Sequence, residues 1–191
     1  MDQQSIDKCI AIIKDGGLAV IPTDTVYGVV CRAADKRAVT RLYALKSRQK
    51  KPGTITSASI EQLVGLGIKR RYLTAVSQFW PGAISVEIPH DLDYLNQGTG
   101  RQAFRVVKDA KLAEILQKTG PLLTSSANLP GRPTATDITE AKKYFAGKVD
   151  CYFDAGKLSG TPSTLVRVVD DAVEVLREGT VKINEKGEVE E

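Results

Sequence analysis

Histidine is almost missing from this chain of 191 residues: there is one, His90, beside Pro89. Ser-His-Asp and Cys-His nucleophilic machinery would have to run through it, and nothing around it resembles a nucleophile elbow. We expect a surface loop residue there. One histidine and no CxxC pair also argue against a zinc site, and no residue is expected to act as a resident metal ligand. The cysteines Cys9, Cys31 and Cys151 are scattered and odd in number, which excludes a disulfide framework and suits reduced thiols in the cytoplasm. No GxxxxGK[ST] loop and no GxGxxG after a strand is present, so the usual glycine-rich phosphate cradles are absent. No apolar run approaches the roughly 18 residues of a membrane span, and the polar start "MDQQSIDKCI" does not fit a signal peptide. Aromatic residues make up 6% of the chain, too few for a base-stacking platform.

What is present reads as a globular protein, with 42% hydrophobic and 26% charged residues. The last ten residues hold four Glu against two Lys, so a net charge of +4 leaves +6 on the rest of the chain, a surplus suited to an anionic ligand. We expect a single domain over 1–181 and a mobile acidic tail over 182–191. Helical spacing covers 2–15, 35–46, 59–66, 72–80 and 109–118, with another helix opened by "DITE". Strand-like runs fall at 18–21, 53–56, 83–88, 102–107, "PLLTS", "VDCYFD", "TLVRVV" and "AVEVLRE". Strands alternating with helices, closed by a hairpin, imply an α/β fold built on a twisted mixed sheet.

Four polar clusters interrupt the apolar runs: "PTDTVYG" (22–28), "LKSRQKKPG" (45–53), "TSSANLPGRPTAT" (124–136), and "TPSTLVRVV" with "VLREG". Singly, each suits a turn or a helix end. Jointly, they gather hydroxyls, an amide and cations at strand ends, where α/β sheets bind ligands. Arg grips phosphate or carboxylate bidentately, Lys supplies a compact charge, and Ser, Thr and Asn supply neutral hydrogen bonds.

In this order, "PTDTVYG", "KSR…KP", "WPG", "TSSANLPGRP", "PST" and "LREG" resemble the YrdC-like family over about residues 8–180. The resemblance implies a mixed sheet sandwiched with helices and a concave basic face. It also implies a nucleotidyltransferase that condenses L-threonine, bicarbonate and ATP into threonylcarbamoyl-AMP and pyrophosphate, with Mg²⁺. That product feeds the t6A modification of tRNA at adenosine 37, through a downstream threonylcarbamoyl-transferase complex. The family's K-x-R and S-x-N signature falls on Lys46, Arg48, Ser126 and Asn128, the implied catalytic set. By position, Lys51, Thr134 and Arg177 join Arg48 and Ser126 on the ATP side, and Thr25, Thr56, Arg105, Thr124 and Ser163 form the threonine side. No general base is evident, Asp24 being a candidate only.

Several positions depart from the family pattern: Thr56 stands where a histidine is common, Arg101 where a small hydroxyl residue is usual, and Arg105 is followed by "VVKDAKL". These bear on the threonine pocket more than on the nucleotide side. Two alternatives follow: a non-catalytic module binding tRNA or double-stranded RNA through phosphates, or a paralogue with an altered carbamoyl or amino-acid substrate.

Overall fold

The computed structural model describes residues 3–47, 49–158, 160–170, 172–184 and 186–190; Arg48 lies outside the described residues. Helix α1 (Gln3–Lys14) buries Ile6, Cys9, Ile10 and Ile13, and the chain leaves it through Gly16 at φ +83°. Strand β1 (Ala19–Pro22) then turns back into β2 (Tyr27–Arg32), with Pro22 opposite Tyr27. Strand β2 is not among the runs expected from the sequence. Five of its six residues are buried, so the alternation that marks a half-buried strand is missing.

Helix α2 (Lys36–Leu45) starts where Asp35 accepts from the backbone N–H of Arg37 and Ala38, at 2.9 and 3.0 Å. After β3 (Thr54–Ser57) comes α3 (Ile60–Leu66), capped by Ser59 and closed by left-handed Gly67. The helix expected over 72–80 is two pieces, α4 (Arg70–Ala75) and a 3-10 turn at Ser77–Phe79. Strands β4 (Ile84–Pro89) and β5 (Arg101–Val106) enclose a short α5 (Asp93–Asn96), where a loop was expected. The remainder is α6 (Ala110–Thr119), β6 (Leu122–Ser126), α7 (Ile138–Phe145), β7 (Cys151–Tyr152), β8 (Thr164–Val169) and β9 (Ala172–Arg177). Beyond β9 the expected tail folds back on itself: Ile183 bridges Val189, and Glu190 N–H donates to Lys182 O at 3.0 Å.

Among the described residues the nine strands form one sheet, in the order β7-β1-β2-β6-β3-β5-β4-β8-β9. The pairs β1–β7, β3–β5 and β4–β8 are parallel and the rest antiparallel, so the sheet is mixed. Alternate strand residues feed two cores. One joins Val29, Ile55, Phe104 and Val86 to helices α2, α3, α4, α5 and α7; the other joins Val30, Leu122 and Val107 to α1 and α6. On that second face the apolar core does not include Arg105, Thr124 or Gly28, which line a cavity instead. No helix among the described residues is long and apolar enough to cross a membrane.

His90 is not a surface residue: it is buried, edge-on to Phe104. Leu92 N–H donates to its Nδ1 at 3.2 Å, so the ring proton sits on Nε2 and points to Gln102 Oε1, also at 3.2 Å. Gln102 Nε2 donates onward to Gly53 O at 2.8 Å, which ties the imidazole to the loop before β3. Burial holds the pKa of His90 below its ordinary value, against the Gln102 hydrogen bond and the charges of Asp91 and Asp93. The unfolded chain therefore takes up the proton first as pH falls. The stability from neutral His90 is complete above about pH 6.5 and is lost as pH falls from there through the depressed native value. Urea midpoints across pH 7.5 to 5 are expected to decline more shallowly in His90→Gln than in the parent protein; identical slopes would refute this.

Candidate functional site

The turn between β1 and β2 is built around one hydroxyl. Thr23 Oγ1 accepts from the N–H of Thr25 and Val26 at 3.3 and 3.2 Å, donates to Val26 O at 2.6 Å, and lies 3.1 Å from Thr25 Oγ1. The stretch is thus an ordinary turn and also the rim of a hollow, because Thr23, Thr25 and Gly28 all line a cavity of about 270 Å³. The end of β6, through Thr124, Ser125 and Ser126, and the residues before β8, Pro162 and Ser163, line it too.

Pro162 and Ser163, just before β8, also line the cavity, and residues 153–158 and 160 lie against the β1–β2 turn and strand β2. Tyr27, fully buried, donates its hydroxyl to Gly156 O at 2.7 Å and accepts from Ala155 N–H at 2.9 Å, anchoring the backbone there. Gly160 then passes so close to Thr25 that a Cβ at this position would stand 1.7 Å from Thr25 O. Gly179, of the "LREG" stretch, is equally committed: its Cβ would lie 2.4 Å from Pro162 O and Ser163 C. Both glycines exist for close backbone approach.

Two guanidiniums meet in this cavity. Arg177 donates through Nη2 and Nε to Ser163 O, at 2.7 and 3.2 Å, and Ser163 Oγ lies 2.9 Å from Ser85 Oγ. Arg105 is 3% exposed and pairs with Asp24, Nη2 to Oδ1 at 3.0 Å. That contact lies outside hydrogen-bond geometry, and both Asp24 Oδ1 and Arg105 Nε are buried without a hydrogen-bond partner among the described residues. Desolvation raises the pKa of Asp24 despite the guanidinium, and lowers that of Arg105 despite the carboxylate, with the like charge of Arg177 adding to it. Burial outweighs pairing for both partners.

A second hollow of about 440 Å³ adjoins the first, Lys51 and Ser126 bordering both, and Asn128 lines it. Lys46 closes its base. Its buried ammonium donates to Ser126 O at 2.7 Å, to Asn128 Oδ1 at 2.9 Å, and to Asn128 O. An ammonium has three N–H donors, and these three acceptors all belong to the Ser126–Asn128 turn. Ser126 Oγ donates to Asn128 Oδ1 at 2.7 Å, and Asn128 Nδ2 to Arg132 O at 2.6 Å. The K-x-R lysine and the S-x-N turn are therefore one cross-link.

The structure thus brings Thr25, Lys51, Arg105, Thr124, Ser126, Ser163 and Arg177 to one cavity. Thr56 stands behind it, 2% exposed, donating to Thr124 Oγ1 at 3.1 Å. Thr134 lines neither hollow. The sequence reading missed the pairing of Asp24 with Arg105, the anchoring role of Tyr27 and the contact of Gly160; a tyrosine and glycines beside polar clusters were the available signal. No group of three or more His, Cys, Asp or Glu that could hold a metal occurs among the described residues.

Gly160→Ala is expected to push its own backbone off Thr25 and weaken small-ligand binding in the cavity at least tenfold, while the same change at Gly65, a helical position with open space around it, is silent. Calorimetric titration of both variants decides it, and equal affinities would contradict the packing argument.

Residues 11–179 match the Sua5–YciO–YrdC family model, described as telomere recombination. A threonylcarbamoyl-AMP synthase of Stutzerimonas stutzeri is 34% identical over 161 residues, covering 81% of this chain and 86% of its own. Pyrococcus abyssi Sua5, solved in complex with L-threonine, superposes with a TM-score of 0.82 at 28% identity over 95% of this chain; the chain spans 56% of its length. Escherichia coli YciO has a TM-score of 0.78 at 24% identity, covering 93% of this chain and 90% of its own, a likeness of fold.

Proposed function

The chain belongs to the Sua5–YciO–YrdC family, and from that membership and its cavity we propose that it is a threonylcarbamoyl-AMP synthase. It condenses L-threonine, bicarbonate and ATP into threonylcarbamoyl-AMP and pyrophosphate, a nucleotidyl transfer in t6A formation at tRNA adenosine 37. The observation that carries the reading is Arg105: a guanidinium 97% removed from solvent, with Nε unpartnered, inside a small cavity lined by hydroxyls. Such a donor suits a carboxylate. A duplex phosphate backbone could not reach it, which disfavours an RNA-binding module without turnover.

The carboxylate of threonine binds Arg105, and Thr25, Thr124 and Ser163 meet its hydroxyl and amine. The amine adds to bicarbonate with loss of water, and a carbamate oxygen then displaces pyrophosphate in line at the α-phosphorus. That step needs positioning and charge stabilisation more than a protein nucleophile. Lys51, Ser126, Asn128 and Arg177 face the nucleotide, with Arg48 and Thr134 assigned there by position alone. Lys46 acts through the turn it cross-links, since its donors are spent on that turn. Mg²⁺, arriving with the triphosphate, would neutralise phosphate charge. The product passes to a threonylcarbamoyl-transferase complex acting on tRNA, which sets the protein in the cytoplasm.

Pyrophosphate release from ATP and bicarbonate, assayed with each amino acid in turn, is expected to depend on L-threonine. A preference for serine or for carbamoyl phosphate would redirect the reading to a paralogue. Arg105→Ala removes a charge-assisted hydrogen bond worth about 1.5–3 kcal/mol, so threonine KM is expected to rise about ten- to a hundredfold with ATP KM little changed. Lys46→Met leaves buried carbonyls of the Ser126–Asn128 turn unpaired, about 1–3 kcal/mol each. It should lower the melting temperature and speed proteolysis near 127–132 as well as cutting activity; a fully stable, inactive variant would return Lys46 to direct phosphate contact.

A further inference from the structure

Asp24 is the acid of the "PTDTVYG" turn, and the reaction above assigns it no work. Its side chain is 11% exposed, and that of its partner Arg105 4%. The pair is a poor structural asset: the contact at 3.0 Å is not hydrogen-bonded, one oxygen and one N–H of the two groups stay unpartnered, and burial outweighs pairing for both. A buried ion pair of that quality typically stabilises a fold less than apolar side chains of the same volume. Its geometry makes sense if the guanidinium must be held in the cavity wall rather than fully satisfied there.

Each side is anchored separately. Arg105 sits on β5, with Thr56 of β3 in register beside it, so its Cα cannot slide. Asp24 sits in the tight turn made by Thr23 Oγ1, and Gly160 packs on the next residue. The carboxylate reaches Nη2, leaving Nε unpartnered, and Arg105 lines the cavity. Arg177, of like charge, stands near enough to repel it. Without Asp24 nothing named here holds the guanidinium against that repulsion.

We propose that Asp24 is a positioning residue for the amino-acid substrate: it holds the Arg105 guanidinium at the cavity wall, in place for the incoming carboxylate. The inference rests on the threonine-binding reading of the cavity. Asp24 itself touches no reacting atom in this account; it acts through Arg105, which confines its effect to the carboxylate end. Loss of Asp24 therefore raises the KM for threonine with kcat at saturating threonine nearly kept, and leaves ATP alone. Its effect disappears once Arg105 is gone.

The test is a double-mutant cycle on the full chain, read by calorimetric titration of L-threonine and, separately, of ATP. Asp24→Asn, nearly isosteric, is expected to weaken threonine binding about tenfold or more and to leave ATP affinity within about twofold. In the Arg105→Ala background the same change is expected to cost nothing further. Asp24→Glu, which keeps the charge but moves it by one methylene, should recover part of the loss; it also serves should Asp24→Asn fail to fold, an unaltered affinity then overturning the inference. If Asp24→Asn binds threonine like the parent, or loses as much affinity with Arg105 absent as with it present, the positioning role is wrong. Failure of the parent protein to bind threonine at all would overturn the reading of the cavity and this inference with it.

Discussion

A buried guanidinium that its own carboxylate does not fully satisfy is the constraint on which the site depends. Arg105 lies on an inner strand, between β3 and β4, almost wholly removed from solvent while it still lines the cavity. Desolvation works against both members of the pair it forms with Asp24. The surrounding fold has to carry that cost, and it can: apolar residues pack both faces of one sheet against two sets of helices. Register does the rest. Because side chains alternate, a slip of one residue in β5 would exchange Arg105 with Phe104, moving the charge into the opposite core.

Three polar networks then fix the loops that face this charge, and each spends a group one would otherwise assign to chemistry. Lys46 gives its donors to the Ser126–Asn128 turn. Tyr27 holds the backbone at Ala155 and Gly156. Neutral His90 orients Gln102, which holds Gly53 beside the cavity. The arrangement is preorganised, so ligands meet donors already aimed, with little reorganisation left for the moment of reaction.

The strand-end clusters were legible because turn residues, hydroxyls and cations break an apolar pattern locally. The helix starts at Asp35, Asp109 and Asp137 were legible for the same reason, since a cap and its N–H donors lie within three residues of each other. What failed was non-local. Asp24 and Arg105 are 81 positions apart, and no local rule pairs them. His90 looked exposed because it follows a proline and precedes an acid, yet α5, too short to show a period, folds beside it. Strand β2 hid in a continuous apolar run. The order of strands in the sheet follows from long-range packing alone. Thr134, assigned to the nucleotide by position, turned out to line neither hollow.

The most direct measurement is a crystal structure with L-threonine and a non-hydrolysable ATP analogue bound together. This account predicts the threonine carboxylate at about 3 Å from the Arg105 guanidinium, with the phosphates running toward Lys51 and the Ser126–Asn128 turn. A threonine seated elsewhere, with its carboxylate away from that guanidinium, would contradict it.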